Sequence, residues 1–178
     1  MFNLIVFIGP SGCGKTTLQQ MLAADKIITW TSRPKREDEV DGREYHFTTE
    51  EEIMRMHEEG KLLEYTRYNE NLYATSLDSI EDLIEKNGFS SIVLDANGVR
   101  ALKDRYNDKI LIIGVKAPYT ECHQNMLKRN DDDISKRLSL YKQEINNVME
   151  LSDIILSNYY ENWPKTKTLM QIIKQGMI

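Results

Sequence analysis

Cysteine is scarce in these 178 residues: there are two, Cys13 and Cys122. They fit no zinc spacing and no disulfide framework, so the fold is expected to rest on its core, in reducing, cytoplasmic surroundings. Histidine is scarce too. His46, His57 and His123 show no convergent spacing, and no metal site built from protein side chains alone is expected. No apolar run is long enough to cross a bilayer, and no basic region precedes the short apolar run at the N-terminus. That run therefore reads as a first strand, and no membrane partner is expected. Basic charge is not in excess: the formal net charge of −5 argues against a general nucleic-acid surface. No internal repeat, low-complexity segment or long linker divides the chain. What remains, 40% hydrophobic and 29% charged, is ordinary for one globular domain with a substantial core.

Against that background one segment stands out. Gly9-Pro10-Ser11-Gly12-Cys13-Gly14-Lys15-Thr16 is a complete G-x-x-x-x-G-K-S/T phosphate-binding loop. Leu4-Ile5-Val6-Phe7-Ile8 before it suits a buried strand, and Thr17 through Ala24 after it suits a helix. Glycines let successive backbone N–H groups turn inward around phosphate oxygens, and the helix N-terminus adds its dipole. Ser11, Gly12, Cys13, Gly14, Lys15, Thr16 and Thr17 are thus expected to hold a nucleoside triphosphate, with Lys15 on the β- and γ-phosphates and the Thr16 hydroxyl on Mg²⁺.

Further strand-like runs fall at residues 91–94, 110–115 and 154–156, separated by helical spacing. This alternation predicts an α/β fold: a mostly parallel sheet flanked by helices. Thr49 and Glu52 form a capping box for a helix toward Gly60. Leu77, Ile80, Leu83 and Ile84 share one helical face, with Asn87-Gly88 as the stop signal. Ile134, Leu138, Tyr141, Ile145 and Val148 form one long apolar stripe, and Trp163-Pro164 opens a last helix. The polar stretch from about 29 to 75 breaks the alternation and is expected to form a small subdomain over the loop.

That stretch contains Thr29-Trp30-Thr31-Ser32-Arg33-Pro34-Lys35-Arg36, followed by Glu37 to Gly42 and then Arg43-Glu44-Tyr45-His46-Phe47. It resembles the guanylate kinase family, whose pattern is approximately T-x-R-x-x-R-x-x-E-x-N/D-G-x-E/D-Y-x-F. Leu62-Leu63-Glu64-Tyr65 and Asn71-Leu72-Tyr73-Ala74-Thr75 extend the resemblance, which runs from Ile5 to Asn158. It implies one domain with a P-loop core (1–28, 77–127 and 138–178), a nucleoside-monophosphate-binding insertion (29–76) and a lid (128–137). The chemistry fits this resemblance. Arg33 and Arg36, three apart, can converge on one phosphate in charge-assisted contacts, with Tyr45 and Tyr73 donating to the same oxygens. Guanine presents N1–H and an exocyclic amine, and a carboxylate accepts from both. The resemblance assigns that task to Glu64, with Thr29 and Thr75 on the O6 and ring-nitrogen side. A buried carboxylate left unpaired by adenine is the means of rejecting it.

The chain departs from the family pattern twice. The family's D-x-D-x-x-G is here Asp95-Ala96-Asn97-Gly98, so Asp95 is expected to orient Mg²⁺ through water, and Asn97 is the stand-in for the missing second acid. The family's R-G-x-x-x-E-x-x-x-x-x-R-L lid is contracted to Lys128-Arg129-Asn130-Asp131-Asp132-Asp133-Ile134-Ser135-Lys136-Arg137-Leu138. Arg129 and Arg137 are its expected phosphate clamps. The acids are expected to form a solvated turn, with Asp133 capping the next helix. Asn158 matches the family's adenine-contacting asparagine.

The expected activity is phosphoryl transfer from ATP, with Mg²⁺, to GMP or dGMP, with Lys15, Arg33, Arg129 and Arg137 as the catalytic charges, by a monomer or homodimer. A ribose 1,5-bisphosphate phosphokinase-like enzyme is the alternative, from Ser32-Arg33-Pro34 and the shortened Asn97-Gly98 segment. A non-catalytic guanylate-kinase-like interaction module is a second, which the intact Lys15-Thr16 argues against.

Overall fold

The computed structural model describes residues 3–22, 25–68, 70–85, 89–131 and 133–176. The first strand, β1 (Leu4–Ile8), is buried along its whole length and leads through the glycine-rich loop into α1 (Lys15–Leu22). Then come β2 (Asp25–Lys26), β3 (Trp30–Thr31), β4 (His46–Phe47), α2 (Glu50–Glu58), β5 (Leu62–Tyr68) and β6 (Asn71–Ser76). The chain continues through α3 (Leu77–Glu85), β7 (Ser90–Val93), α4 (Ala96–Tyr106), β8 (Ile110–Lys116) and α5 (Tyr119–Lys128). It closes with α6 (Ile134–Ser139), α7 (Tyr141–Leu151), β9 (Ile154–Ser157) and α8 (Trp163–Gly176).

The first sheet has the order β2-β7-β1-β8-β9, and every pairing in it is parallel. A central parallel strand is covered on both faces, which is why β1 is an unbroken apolar run. Its alternate residues serve opposite layers. Ile5 and Phe7 pack with Leu18, Ile113, Met126 and Met170. Leu4, Val6 and Ile8 pack with Ile80, Ile92, Val99 and Leu102. The strand order runs away from β1 on both sides, which puts the carboxyl end of β1 at the topological switch point where such sheets bind ligands.

The second sheet, β4-β3-β6-β5, takes all its strands from residues 30–76 and mixes antiparallel and parallel pairing. It has its own core of Ile53, Met56, Leu62, Leu72 and Ala74. Thr49 caps α2 as the capping box predicts, its hydroxyl accepting from Glu52 N at 3.2 Å.

The parallel sheet and its helices match the sequence reading, with two differences. The stripe from Ile134 to Val148 is two helices, because the chain breaks at Leu140 between α6 and α7. β2 to β4 are two residues each, held by pairing with distant strands, so no local periodicity announces them. Ala23-Ala24, the Asn87-Gly88 stop signal, Asp132 and the side chain of Ile84 lie outside the described residues. Among the described residues, no helix is long and apolar enough to cross a membrane.

Leu72 is fully buried at the centre of the small second core. Leu72→Ala is expected to destabilise the protein by about 3 kcal/mol, read from the urea midpoint at unchanged slope.

Candidate active site

The glycine-rich loop packs tightly against two later segments. Gly12 and Gly14 have φ of 79° and 94°, the left-handed side that favours glycine. A Cβ on Gly12 would run into the Cys122 carbonyl on α5, and one on Gly14 into the Asn158 amide after β9. Asn125 Nδ2 donates to the Gly12 carbonyl and Asn158 Nδ2 to the Cys13 carbonyl, each at 2.8 Å. With these carbonyls held outward, the loop is braced for an anion at its N–H groups. The Asn158 amide is thus committed to the loop. Cys13 contributes backbone alone, because burial covers its thiol and pushes its pKa up. Lys15 Nζ donates to the Gly9 and Pro10 carbonyls at 2.6 and 2.9 Å. Thr16 and Thr17 are exposed at the N-terminus of α1.

A cavity of about 170 Å³ opens beside this loop. Its wall carries Ser11 and Lys15 from the phosphate loop, Arg137 from α6, Glu64, Tyr73 and Thr75 from the second sheet, and Thr29 and Tyr45 from just before β3 and β4. Asp95 lines it as well, while its Oδ1 caps α4 by accepting from Gly98 N at 3.0 Å. Glu64 accepts from the Thr75 hydroxyl at 2.8 Å. Burial, with Asp95 adding to it, pushes the Glu64 carboxyl up to about 7, although the Thr75 and Thr66 hydroxyls pull the other way. Tyr45 and Tyr73 meet edge to face, 5.9 Å between ring centroids, and burial raises the Tyr45 phenol.

Arg33, Arg36, Arg129 and Asn97 do not line this cavity. Arg33 Nη2 donates to both carboxylate oxygens of the buried Glu39, at 2.7 and 2.9 Å, and its guanidinium lies 5.6 Å from the Tyr45 ring centroid. Burial would raise the Glu39 carboxyl, but the Arg33 pair and the Arg36 N–H hold it below its usual value. Arg36 Nη2 donates to Asp131 Oδ1 at 2.9 Å. Asn97 is exposed and approaches Thr66 Oγ1 at 3.4 Å, so it reaches Glu64 only through that threonine.

The acidic turn differs from expectation. Asp131 is no solvated residue: its side chain is 0% exposed and pairs with Arg129 at 2.5 Å and Arg137 at 3.0 Å as well as with Arg36. Desolvation makes such a carboxylate costly unless it is paired, and here three guanidiniums pair it. The expectation that Asp133 caps α6 also fails. Asp133 has φ 49°, and its side chain makes no cap hydrogen bond.

Three further residues are ones that local sequence patterns do not reveal. Tyr68 bonds Ser11 Oγ at 3.1 Å and lies under the Arg137 guanidinium, 5.5 Å from its ring centroid. Glu144 on α7 lines the cavity, its carboxyl raised by burial against the pull of Lys15, and its Oε2 has no hydrogen-bond partner. Thr66 mediates between Asn97 and Glu64. Among the described residues, no group of three or more His, Cys, Asp or Glu converges to hold a metal.

A glycine-rich loop braced at the switch point of a parallel sheet, with cations around it, is the architecture of phosphate-loop kinases. Two solved structures share the fold. Guanylate kinase from Anaplasma phagocytophilum superposes with a TM-score of 0.77 at 21% identity, covering 99% of this chain and 84% of that one. Shikimate kinase from Acinetobacter baumannii gives 0.51 at 14%, covering 99% and 95%. The family model for guanylate kinase matches residues 1–174. The guanylate kinase of Thermotoga maritima is 30% identical over 168 residues, 90% of this chain and 81% of that protein. That of Streptococcus agalactiae is 32% identical over 151 residues, 80% and 72%. The chain belongs to the guanylate kinase family.

The raised carboxyl of Glu64 has a consequence for stability. A group whose folded pKa lies above its unfolded value adds stability below the unfolded pKa, and that stability is lost as pH rises through the folded one. For Glu64 the window runs from 4.5 to about 7. Glu64→Gln is therefore expected to be more stable than the parent at pH 8, by up to about 3 kcal/mol, and nearly equal to it at pH 4. Urea unfolding at the two pH values measures this. Equal stabilities at pH 8 would contradict it.

Proposed function

We infer that the chain transfers the γ-phosphoryl group of ATP to GMP or dGMP, giving ADP and GDP or dGDP. The observation that carries this reading is the shared cavity. One wall has the phosphate loop with Lys15 and Arg137, and the same space is lined by Glu64 hydrogen-bonded to Thr75 beside Tyr45 and Tyr73. Membership of the guanylate kinase family supports the same acceptor and does not favour a ribose 1,5-bisphosphate kinase or a non-catalytic module.

On this reading residues 29–76 are the acceptor-binding insertion and 128–137 the lid over one core. The loop N–H groups from Ser11 to Thr17 hold the ATP phosphates, and Asn158 holds the loop beside the nucleotide. Arg33, Arg36, Tyr45 and Tyr73 hold the acceptor phosphate. Glu64 accepts from guanine N1–H and the exocyclic amine, Thr75 and Thr29 complete the base site, and Asn97 acts at its edge through Thr66.

Kinases of this family act with a divalent ion, and the donor set here suits Mg²⁺ carried on phosphate. The Thr16 hydroxyl and the Asp95 carboxylate offer one ligand and one water acceptor, where a cage of side chains is absent among the described residues. When bound, such an ion would supply positive charge against the ATP phosphates. The protein's own share is positioning. Lys15 and the loop orient the donor, and Arg33 and Arg36 bring the acceptor phosphate into line. Arg129 and Arg137 offset charge on the transferring group. A loose, in-line transition state needs no covalent intermediate and no side-chain base. The reaction suits the reducing cytoplasm, where both buried cysteines stay thiols.

A coupled ADP-release assay with GMP, dGMP, AMP, UMP and ribose 1,5-bisphosphate tests the reading directly. GMP and dGMP are expected to be turned over at least about 100-fold better than AMP, in kcat/KM. Lys15→Ala should lower kcat by about 100-fold or more, and Arg36→Ala should chiefly raise KM for GMP. Turnover of ribose 1,5-bisphosphate in preference to GMP, or full activity of Lys15→Ala, would overturn it.

A further inference from the structure

Asp131 gathers three guanidiniums on one buried carboxylate. Its side chain is 0% exposed. Oδ1 takes Arg36 Nη2 at 2.9 Å, and Oδ2 takes Arg129 Nη2 at 2.5 Å and Arg137 Nη1 at 3.0 Å. The local backbone sets it there. Asn130, one residue past the Arg129 cap of α5, is left-handed, φ 51°, where the family pattern has glycine. Asn130 N bonds the Leu127 carbonyl and Asp131 N the Met126 carbonyl, the paired bonds of a Schellman turn. Asp133, also left-handed, leads into α6.

Three guanidiniums this close repel one another, and in a partly buried site that repulsion is screened only weakly. One carboxylate among them lets them converge and leaves the group with surplus positive charge. The three come from different places. Arg36 belongs to the 29–76 segment, 95 residues before Asp131. Arg129 ends α5. Arg137 also reaches Ser11 Oγ of the phosphate loop at 3.1 Å. A residue needed only to close a turn would not have to gather them.

We propose that Asp131 is a positioning residue, whose carboxylate sets Arg137 against the phosphate loop and ties it to Arg129 and Arg36, so that lid and acceptor segment take their catalytic arrangement together. This rests on the reading of the chain as a GMP kinase. The acid acts through the arginines and touches no substrate. Removing its charge therefore lowers the rate of the chemical step, while ATP remains held by loop backbone.

The test combines kinetics with NMR of the arginine side chains in the protein without nucleotide. In Asp131→Asn, an isosteric change, kcat is expected to fall about 10- to 100-fold, with KM for ATP within about twofold. Asp131→Glu, which keeps the charge, should lie between the two. Combined with Arg137→Lys, Asp131→Asn should add little beyond the larger single loss, because both act through the same guanidinium. The slowed guanidinium N–H exchange of Arg36, Arg129 and Arg137 should be lost together. A merely structural acid predicts a lower melting temperature with kcat unchanged, losses that multiply in the double variant, or guanidinium signals that do not move. Any of these overturns the proposal. Should Asp131→Asn fail to fold, Asp131→Glu decides alone by the same two readouts, kcat and the three guanidinium signals. Failure of the parent protein to phosphorylate GMP would sink the functional reading instead, and leaves the guanidinium readout intact.

Discussion

Mutual repulsion among cations is the constraint around which this site is built. Lys15 and four arginines, Arg33, Arg36, Arg129 and Arg137, gather from four segments of the chain, and each needs an acceptor for its N–H groups. Lys15 uses two loop carbonyls. Arg33 uses Glu39, and Arg36, Arg129 and Arg137 share Asp131. Both carboxylates are buried. Acids enclosed this way are stable only while paired, so cations and anions hold one another in place. Charge-assisted bonds to fixed partners lose little freedom when a phosphate arrives, which is the physical content of preorganisation.

The acceptor site follows a different logic. Glu64 has hydroxyl partners and no cation, so burial governs it and its carboxyl titrates near neutrality. A base that donates two N–H groups restores what burial removed, and one that cannot donate leaves the cost in place. Where the family has a second acid, this chain has Asn97, linked to Glu64 only through Thr66. On the proposed reading, selection among bases rests on Glu64 and Thr75 to a greater degree than the family pattern implies.

Much of this architecture was legible in the sequence because it is local. A glycine-lysine-threonine loop needs its residues contiguous, the buried strand β1 needs an unbroken apolar run, and the Thr49 cap needs Glu52 three residues on. What escaped depends on distant contacts. Asp131 reads as one of three acids in a solvated run until Arg36 arrives from 95 residues earlier in the chain. Asn125, Tyr68 and Glu144 sit in ordinary helix and strand positions, and their meeting with the loop is a product of the fold. The break at Leu140 is hidden because an apolar stripe continues across it. The four strands β3 to β6 are short or polar, and pairing across the sheet makes them strands.

On the proposed function, Glu64 receives the guanine as a carboxylate, although burial favours its neutral form. Calorimetric titration of GMP at pH 6.5, in two buffers of different ionisation enthalpy, measures the protons released on binding. The parent is expected to release a substantial fraction of one proton more than Glu64→Gln, with the difference vanishing at pH 8.5. Equal proton release by the two proteins at pH 6.5, with GMP bound equally well, would contradict it.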